Sequence, residues 1–111
     1  MMWGISTSGG VVIGQPTGLI DEASREPFLA GLRDGVAQAV TKGSDFVVDL
    51  AKVDHIGAAG LMALTVARKE ALTQGIRIAL ARPGPIVREI LDISRYHMIF
   101  DILDDPNVAR A

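Results

Sequence analysis

The residues best suited to recognition chemistry fall in one stretch, Asp49-Leu50-Ala51-Lys52-Val53-Asp54-His55-Ile56-Gly57-Ala58-Ala59-Gly60-Leu61. Gly57 and Gly60 let a backbone approach a partner closely. A helix opening after them would offer free N–H groups, a mild anion site. From spacing alone, the same small residues equally suit tight packing of a helix on a sheet. Gly57-Ala58-Ala59-Gly60 also fits the Gly-x-x-Gly of a KH-type RNA loop, but alanines stand between its glycines and Lys52 is the nearest base upstream. Asp21, Glu22 and Asp54 offer acidic loop contacts, although Asp also favours ordinary turns. The chain's two histidines, His55 and His97, lack ligand spacing with other donors, so each reads as a surface or edge residue and no metal is expected. There is no Gly-x-Ser-x-Gly elbow and no Gly-x-x-x-x-Gly-Lys-Ser/Thr phosphate loop, so neither an enzyme nor a cofactor is expected.

Composition narrows the classes further. With 111 residues, 49% apolar and 22% charged, the chain suits one folded domain over residues 1–111. The absence of cysteine excludes disulfides, thiolate zinc sites and cysteine nucleophiles together. A net charge of −2 argues against direct nucleic-acid binding. Aromatics at 5% argue against base-stacking platforms. No apolar run approaches the roughly 18–20 residues of a membrane span, so no membrane insertion is expected. Met1-Met2-Trp3-Gly4-Ile5 lacks the pattern of a signal peptide, and the expected compartment is the cytoplasm.

The elements that must carry the central stretch follow from punctuation and period. Ser8-Gly9-Gly10, Pro16-Thr17-Gly18, Lys42-Gly43-Ser44, Gln74-Gly75 and Arg82-Pro83-Gly84-Pro85 read as turns. Trp3 pins a first strand, and Val11-Val12-Ile13 is a short β-type run. Ser24 suits the cap of a helix that tolerates Pro27 in its first turn. Phe28, Leu32, Val36, Ala39 and Val40 share one face of that helix. Phe46-Val47-Val48-Asp49-Leu50 is nearly continuous and suits a strand covered on both faces. A second helix runs from about Ala58 to Gln74, with Leu61, Leu64, Ala71 and Leu72 as its apolar stripe. Met62 and Val66 are rotated from that stripe, and Met62 is the better candidate for an exposed contact. Arg68, Lys69 and Glu70 suit a solvated face. Ile76-Arg77-Ile78-Ala79-Leu80 reads as a strand. Pro85 opens a third helix with Ile86, Ile90 and Ile93 in line. Ile99-Phe100-Asp101-Ile102-Leu103 reads as a last strand, and the polar tail from Asp104 as frayed. The expected class is α/β: a mixed, largely parallel sheet of about five strands with three or more helices against it, in the order β-β-α-β-α-β-α-β.

Residues Phe46 to Leu64 resemble the signature of STAS domains, the family of bacterial anti-sigma factor antagonists and of the cytosolic tails of sulfate transporters. The family pattern is an apolar strand ending in Asp-Leu, followed by Asp-Ser-Ser-Gly-Leu opening a helix. Phe46-Val47-Val48-Asp49-Leu50 and Gly60-Leu61 match it. Gly18-Leu19-Ile20-Asp21, Pro85-Ile86-Val87-Arg88-Glu89-Ile90-Leu91 and Met98-Ile99-Phe100-Asp101-Ile102 resemble the family's other ordered motifs. The departure is local. Regulated members are phosphorylated on the serine before Gly-Leu, where this chain has Ala59. Ala58 replaces the neighbouring serine and Gly57 the aspartate. Alanine has no hydroxyl to accept phosphate.

The resemblance implies a protein–protein interaction module. Its partner would be an anti-sigma factor of the GHKL serine-kinase class or a related switch protein. The start of helix two would dock and free a sigma factor by competition. Gly57, Ala58, Ala59, Gly60, Leu61 and Met62 would form the contact, with Asp21 and Asp54 on its rim. Without the serine, binding would not be switched by phosphorylation at the usual site. Other roles in the family are a STAS subunit of a lipid or anion transport complex and the scaffold of a signalling assembly. A homodimer through the Trp3 edge is a further expectation.

Overall fold

A computed structural model describes residues 1–106. Strand β1, Met2–Ser8, and strand β2, Val11–Ile20, form an antiparallel hairpin. Gly9 and Gly10 join them at φ +58° and +82°, positive values that give a turn the twist of its strands. Helix α1, Arg25–Lys42, follows and ends at Gly43 in the left-handed conformation. Then come β3 (Phe46–Asp49), β4 (Val53–Ile56), helix α2 (Ala58–Thr73), β5 (Ile78–Ala81), helix α3 (Pro85–Ile93), a 3-10 turn (Tyr96–Met98) and β6 (Asp101–Leu103). The sheet order is β1-β2-β3-β5-β6, with β4 also paired to β2. Only β1–β2 is antiparallel.

The α/β class and the mixed, largely parallel sheet agree with the sequence reading, but the sheet has six strands. The extra one is β4. Its four residues alternate as buried, exposed, exposed, buried, which carries no strand period. Strand β2 is also much longer than Val11–Ile13. It holds β3 along Val12–Gly14 and β4 along Gly18–Ile20. Pro16 lies between these two pairings, where a missing N–H interrupts neither parallel ladder. Of the tail read as frayed from Asp104, residues 107–111 lie outside the described ones, and Pro106 is buried.

The helix faces hold further corrections. In α1, Phe28, Leu32, Val36 and Ala39 are buried as expected, but Val40 is exposed. In α2 the buried stripe is Gly60, Ala63, Leu64, Ala67 and Ala71, while Leu72 is exposed and Leu61 half-buried. Small residues bring this helix close to the sheet, and a leucine-based stripe overlooks them. In α3 the core side chains are Val87 and Leu91. Ile86 and Ile93 from the expected line are 61% and 75% exposed, and Ile90 is partly buried. The two lines are neighbours on the helix surface, and periodicity cannot choose between two apolar lines. Ser24 stands at the α1 N-cap, yet its hydroxyl makes no capping bond. It instead accepts the Asp21 N–H at 2.9 Å, while the Asp21 carboxylate accepts the Ser24 N–H at 3.2 Å.

Two rings set the height of α1 above the sheet. Trp3 packs edge-on to Phe28 with centroids 6.2 Å apart and lies 6.4 Å from Phe46. A methyl group at Gly31 would overlap the Trp3 indole, and one at Gly35 would overlap the Phe46 ring. The Trp3 Nε1 is buried with no hydrogen-bond partner among the described residues. Alternation in the strands places Val11, Ile13, Val47, Ala79 and Ala81 in a second apolar cluster on the opposite face.

Asp49 is the buried charge of the sheet, 2% exposed at the end of β3. Its carboxylate accepts from Arg82 Nε at 3.1 Å, from Arg82 Nη2, from Gln15 Nε2 at 3.0 Å and from the Ala51 N–H at 3.1 Å. Burial pushes the Asp49 carboxyl up. The bonds from Arg82, Ala51 and Gln15, with the Arg82 charge, outweigh burial and hold it below the ordinary carboxylate value. Arg82 takes φ +52°, a left-handed backbone rare for a residue with a side chain.

Two stability predictions follow from these contacts. Gly35→Ala gains helix propensity of about 1 kcal/mol. The clash with Phe46 opposes it by about 1–3 kcal/mol in a close-packed core. Thermal melts should therefore show a net loss, recovered in part by Gly35→Ala/Phe46→Leu. Asp49 has a lowered folded pKa, so its stabilisation is complete above the unfolded carboxylate value and lost as pH falls through the folded one. Urea midpoints should therefore hold steady above about pH 5 and decline below about pH 4. Asp49→Asn should be less stable at pH 7 and show a shallower acid decline.

Candidate functional site

The site is built where two chain segments leave the sheet side by side. Ile20 ends β2 and pairs with Ile56 at the end of β4. The Gly57 N–H donates to the Ile20 carbonyl at 2.8 Å. Asp21 follows Ile20 and Ala58 follows Gly57, so both leave the sheet at the same end, and both are exposed. One position back, Leu19 pairs with His55 and is 53% exposed.

Gly57 is the N-cap of α2 in extended conformation, and its carbonyl accepts the Leu61 N–H at 3.1 Å. Neither a side-chain cap nor an acidic residue serves the first turn. Ala58 is exposed, Ala59 half-buried and Met62 60% exposed, so the outer side of this turn is two methyl groups and a thioether. Leu61 is half-buried and packs partly into the core. Gly60 does not face a partner. It is buried, and a Cβ there would lie 2.7 Å from both Ile20 and Ile56. For Gly60 the tight-packing reading holds. Gly57 has open room, with only the Ile20 carbonyl oxygen 3.7 Å from a built Cβ.

Asp54 and His55 are exposed on β4, on the approach to the turn. Asp21, Gly57, Ala58, Ala59 and Met62 thus share the end of the sheet, with Asp54 farther back along β4. His97 Nδ1 lies 3.7 Å from an Asp92 oxygen. Among the described residues, no three His, Cys, Asp or Glu side chains converge as a metal site would require.

Sequence reasoning missed Tyr96. Its hydroxyl donates to the Leu61 carbonyl at 3.0 Å and lies 2.7 Å from Thr65 Oγ1, which also bonds that carbonyl at 3.1 Å. The ring stacks on Phe100 with centroids 6.0 Å apart. Tyr96 therefore latches the segment after α3 onto the first turn of α2. A lone tyrosine 35 residues from its acceptor leaves no local pattern; its being the chain's single tyrosine was the available hint.

Comparison with known proteins agrees with this fold. The family model for the STAS domain matches residues 3–109. A Bordetella bronchiseptica protein named as an anti-sigma factor antagonist, BtrV, is 35% identical over 104 residues, covering 92% of this chain and 85% of its own. An anti-sigma factor antagonist from Mycobacterium paratuberculosis superposes with TM-score 0.80 at 18% identity, over 94% of this chain and 86% of that one. A sulfate transporter family protein from Wolinella succinogenes superposes with TM-score 0.71, also at 18% identity, over 89% and 80% of the two chains. At such identity the two structures show the shared fold alone. The family match across nearly the whole chain, with the Bordetella relative, makes this protein a member of the STAS domain family, of the anti-sigma factor antagonist type.

Proposed function

We propose that this chain is a protein-binding module that captures an anti-sigma factor through the first turn of α2, acting in the cytoplasm. The observation that carries the reading is the surface of that turn. Ala58, Ala59 and Met62 are presented outward with Asp21 beside them, on a helix seated by Gly60. A short apolar turn with an acidic neighbour supplies a desolvated centre and a polar rim, as protein interfaces do. Leu61 and Gly57 support it from beneath and Asp54 lies at its margin. Binding there would compete with a sigma factor for the partner and release it. The name of the Bordetella relative supports a partner of this kind.

The same turn carries no hydroxyl. A phosphate at the position of Ala59 would add roughly −1.5 to −2 charges to an apolar contact. With alanine there, the proposed module binds its partner without that switch. The likeness to the sulfate transporter family protein supports a second reading, in which the partner is a transport complex. An affinity capture separates the two: an anti-sigma factor or serine kinase supports the first, and transporter subunits in its place overturn it.

Two variants test the surface. Met62→Glu should weaken capture by about 2 kcal/mol, roughly thirty-fold, with the melting temperature unchanged because Met62 is exposed. An unchanged affinity would remove Met62 from the contact. When the captured partner is a serine kinase, Ala59→Ser should accept phosphate from it with ATP and then lose affinity, while the parent chain should keep its affinity. A serine variant that stays unmodified would show that the partner does not read this turn as a kinase substrate.

A further inference from the structure

Helix α2 begins without the devices that normally hold a first turn. Its N-cap is Gly57, no side-chain cap bond forms, and no acidic residue stands in the turn. Polar cap residues and acidic side chains just after them are what usually stabilise such a start. Gly60 sits inside the turn and adds backbone freedom that folding must remove. What holds the turn therefore comes from outside the helix. The Gly57 N–H is tied to the Ile20 carbonyl at 2.8 Å. At the other end, the Leu61 carbonyl accepts the Tyr96 hydroxyl at 3.0 Å. Leu61 is also the residue whose N–H closes the first helical bond, onto the Gly57 carbonyl. Tyr96 thus grips the turn where it joins the rest of α2. Leu61, Thr65 and Arg68 form one flank of the helix, and all three bond the segment after α3. Arg68 Nε donates to the Ile99 carbonyl at 3.0 Å, and the Tyr96 ring is backed by the buried Phe100.

We propose that Tyr96 is a positioning residue for partner capture: its hydroxyl stands in for the missing cap of α2 and keeps the first turn formed. The role rests on the capture reading and acts through Leu61. Only molecules with the turn formed present Ala58, Ala59 and Met62 together, so affinity follows that fraction. The device is local. Without the Tyr96 hydroxyl, the Leu61 carbonyl still has the Thr65 hydroxyl at 3.1 Å, so no acceptor is stranded and the rest of the fold is little affected.

Tyr96→Phe keeps the ring and its stack and removes only the hydroxyl. In the free chain, amide exchange should quicken about five-fold at Leu61, Met62 and Ala63, whose N–H groups close the first bonds of α2. The β3 amides of Val47 and Val48 should exchange as in the parent, because the loss is confined to the turn. Gly57→Asp has room for its side chain, with a built Cβ no nearer than 3.7 Å to the Ile20 carbonyl oxygen. Added to Tyr96→Phe, it supplies a cap and should slow the exchange at the three amides again. Affinity for a captured anti-sigma factor should fall about five-fold in Tyr96→Phe, through slower association. Exchange that quickens equally in β3, or that stays unchanged at residues 61–63, would overturn the proposal. A parent chain that captures no anti-sigma factor overturns the capture reading and this role with it. A parent that does capture, matched in affinity by Tyr96→Phe, overturns the role alone.

Discussion

The Asp49 carboxylate ties together parts of the chain that must agree before the first turn of α2 can take its place. It ends β3, takes an amide from Gln15 on β2, orients the turn into β4 through Ala51, and holds Arg82 just past β5. A carboxylate taken out of water is costly unless its lone pairs are occupied. Here the bonds come from neighbouring strands and from the loop itself. The arrangement resists partial formation, because a missing donor leaves a buried charge poorly satisfied. Arg82 accepts a left-handed backbone to complete it. The route from β3 through β4 to α2 therefore starts from a fixed point.

From that point the route to the surface is governed by small residues. Gly60 lets α2 settle against Ile20 and Ile56, which brings Ala58 and Ala59 to the end of the sheet beside Asp21. The latch from Tyr96 then fixes the same turn from its other side through the Leu61 carbonyl. Close packing below and a polar tie beside it leave the exposed side chains of the turn on a rigid platform. Rigidity of this kind lowers the entropy lost when a partner docks. The platform is made by glycine, alanine and one distant hydroxyl.

Legibility in the sequence followed the range of the interactions. Strands β3 and β5 were readable because both faces of each are covered, which writes a continuous apolar run. The core face of α1 was readable through Phe28, Leu32, Val36 and Ala39, whose spacing has no rival. The α3 face was misread because Ile86 and Ile93 form a second apolar line as regular as the buried Val87 and Leu91. Strand β4 left no period, since its pairing comes from the far end of β2. Gly60 showed its type in the sequence but not its direction, and only the fold decides whether a glycine faces a partner or a neighbour. The site was legible as a segment and by family resemblance. Its seating on Ile20 and its latch to Tyr96 were not, being contacts between residues dozens of positions apart.

The packing of Trp3 has a spectroscopic consequence. It is the single indole of the chain, its Nε1 has no acceptor among the described residues, and Phe28 and Phe46 lie against it beneath Gly31 and Gly35 of α1. An indole partly packed into a core, with its N–H shielded from water, emits at shorter wavelength than one in full solvent. All tryptophan emission from this molecule therefore comes from the junction of hairpin and helix. Light collected from unlabelled protein watches that seam alone, and a red shift marks the moment water reaches it.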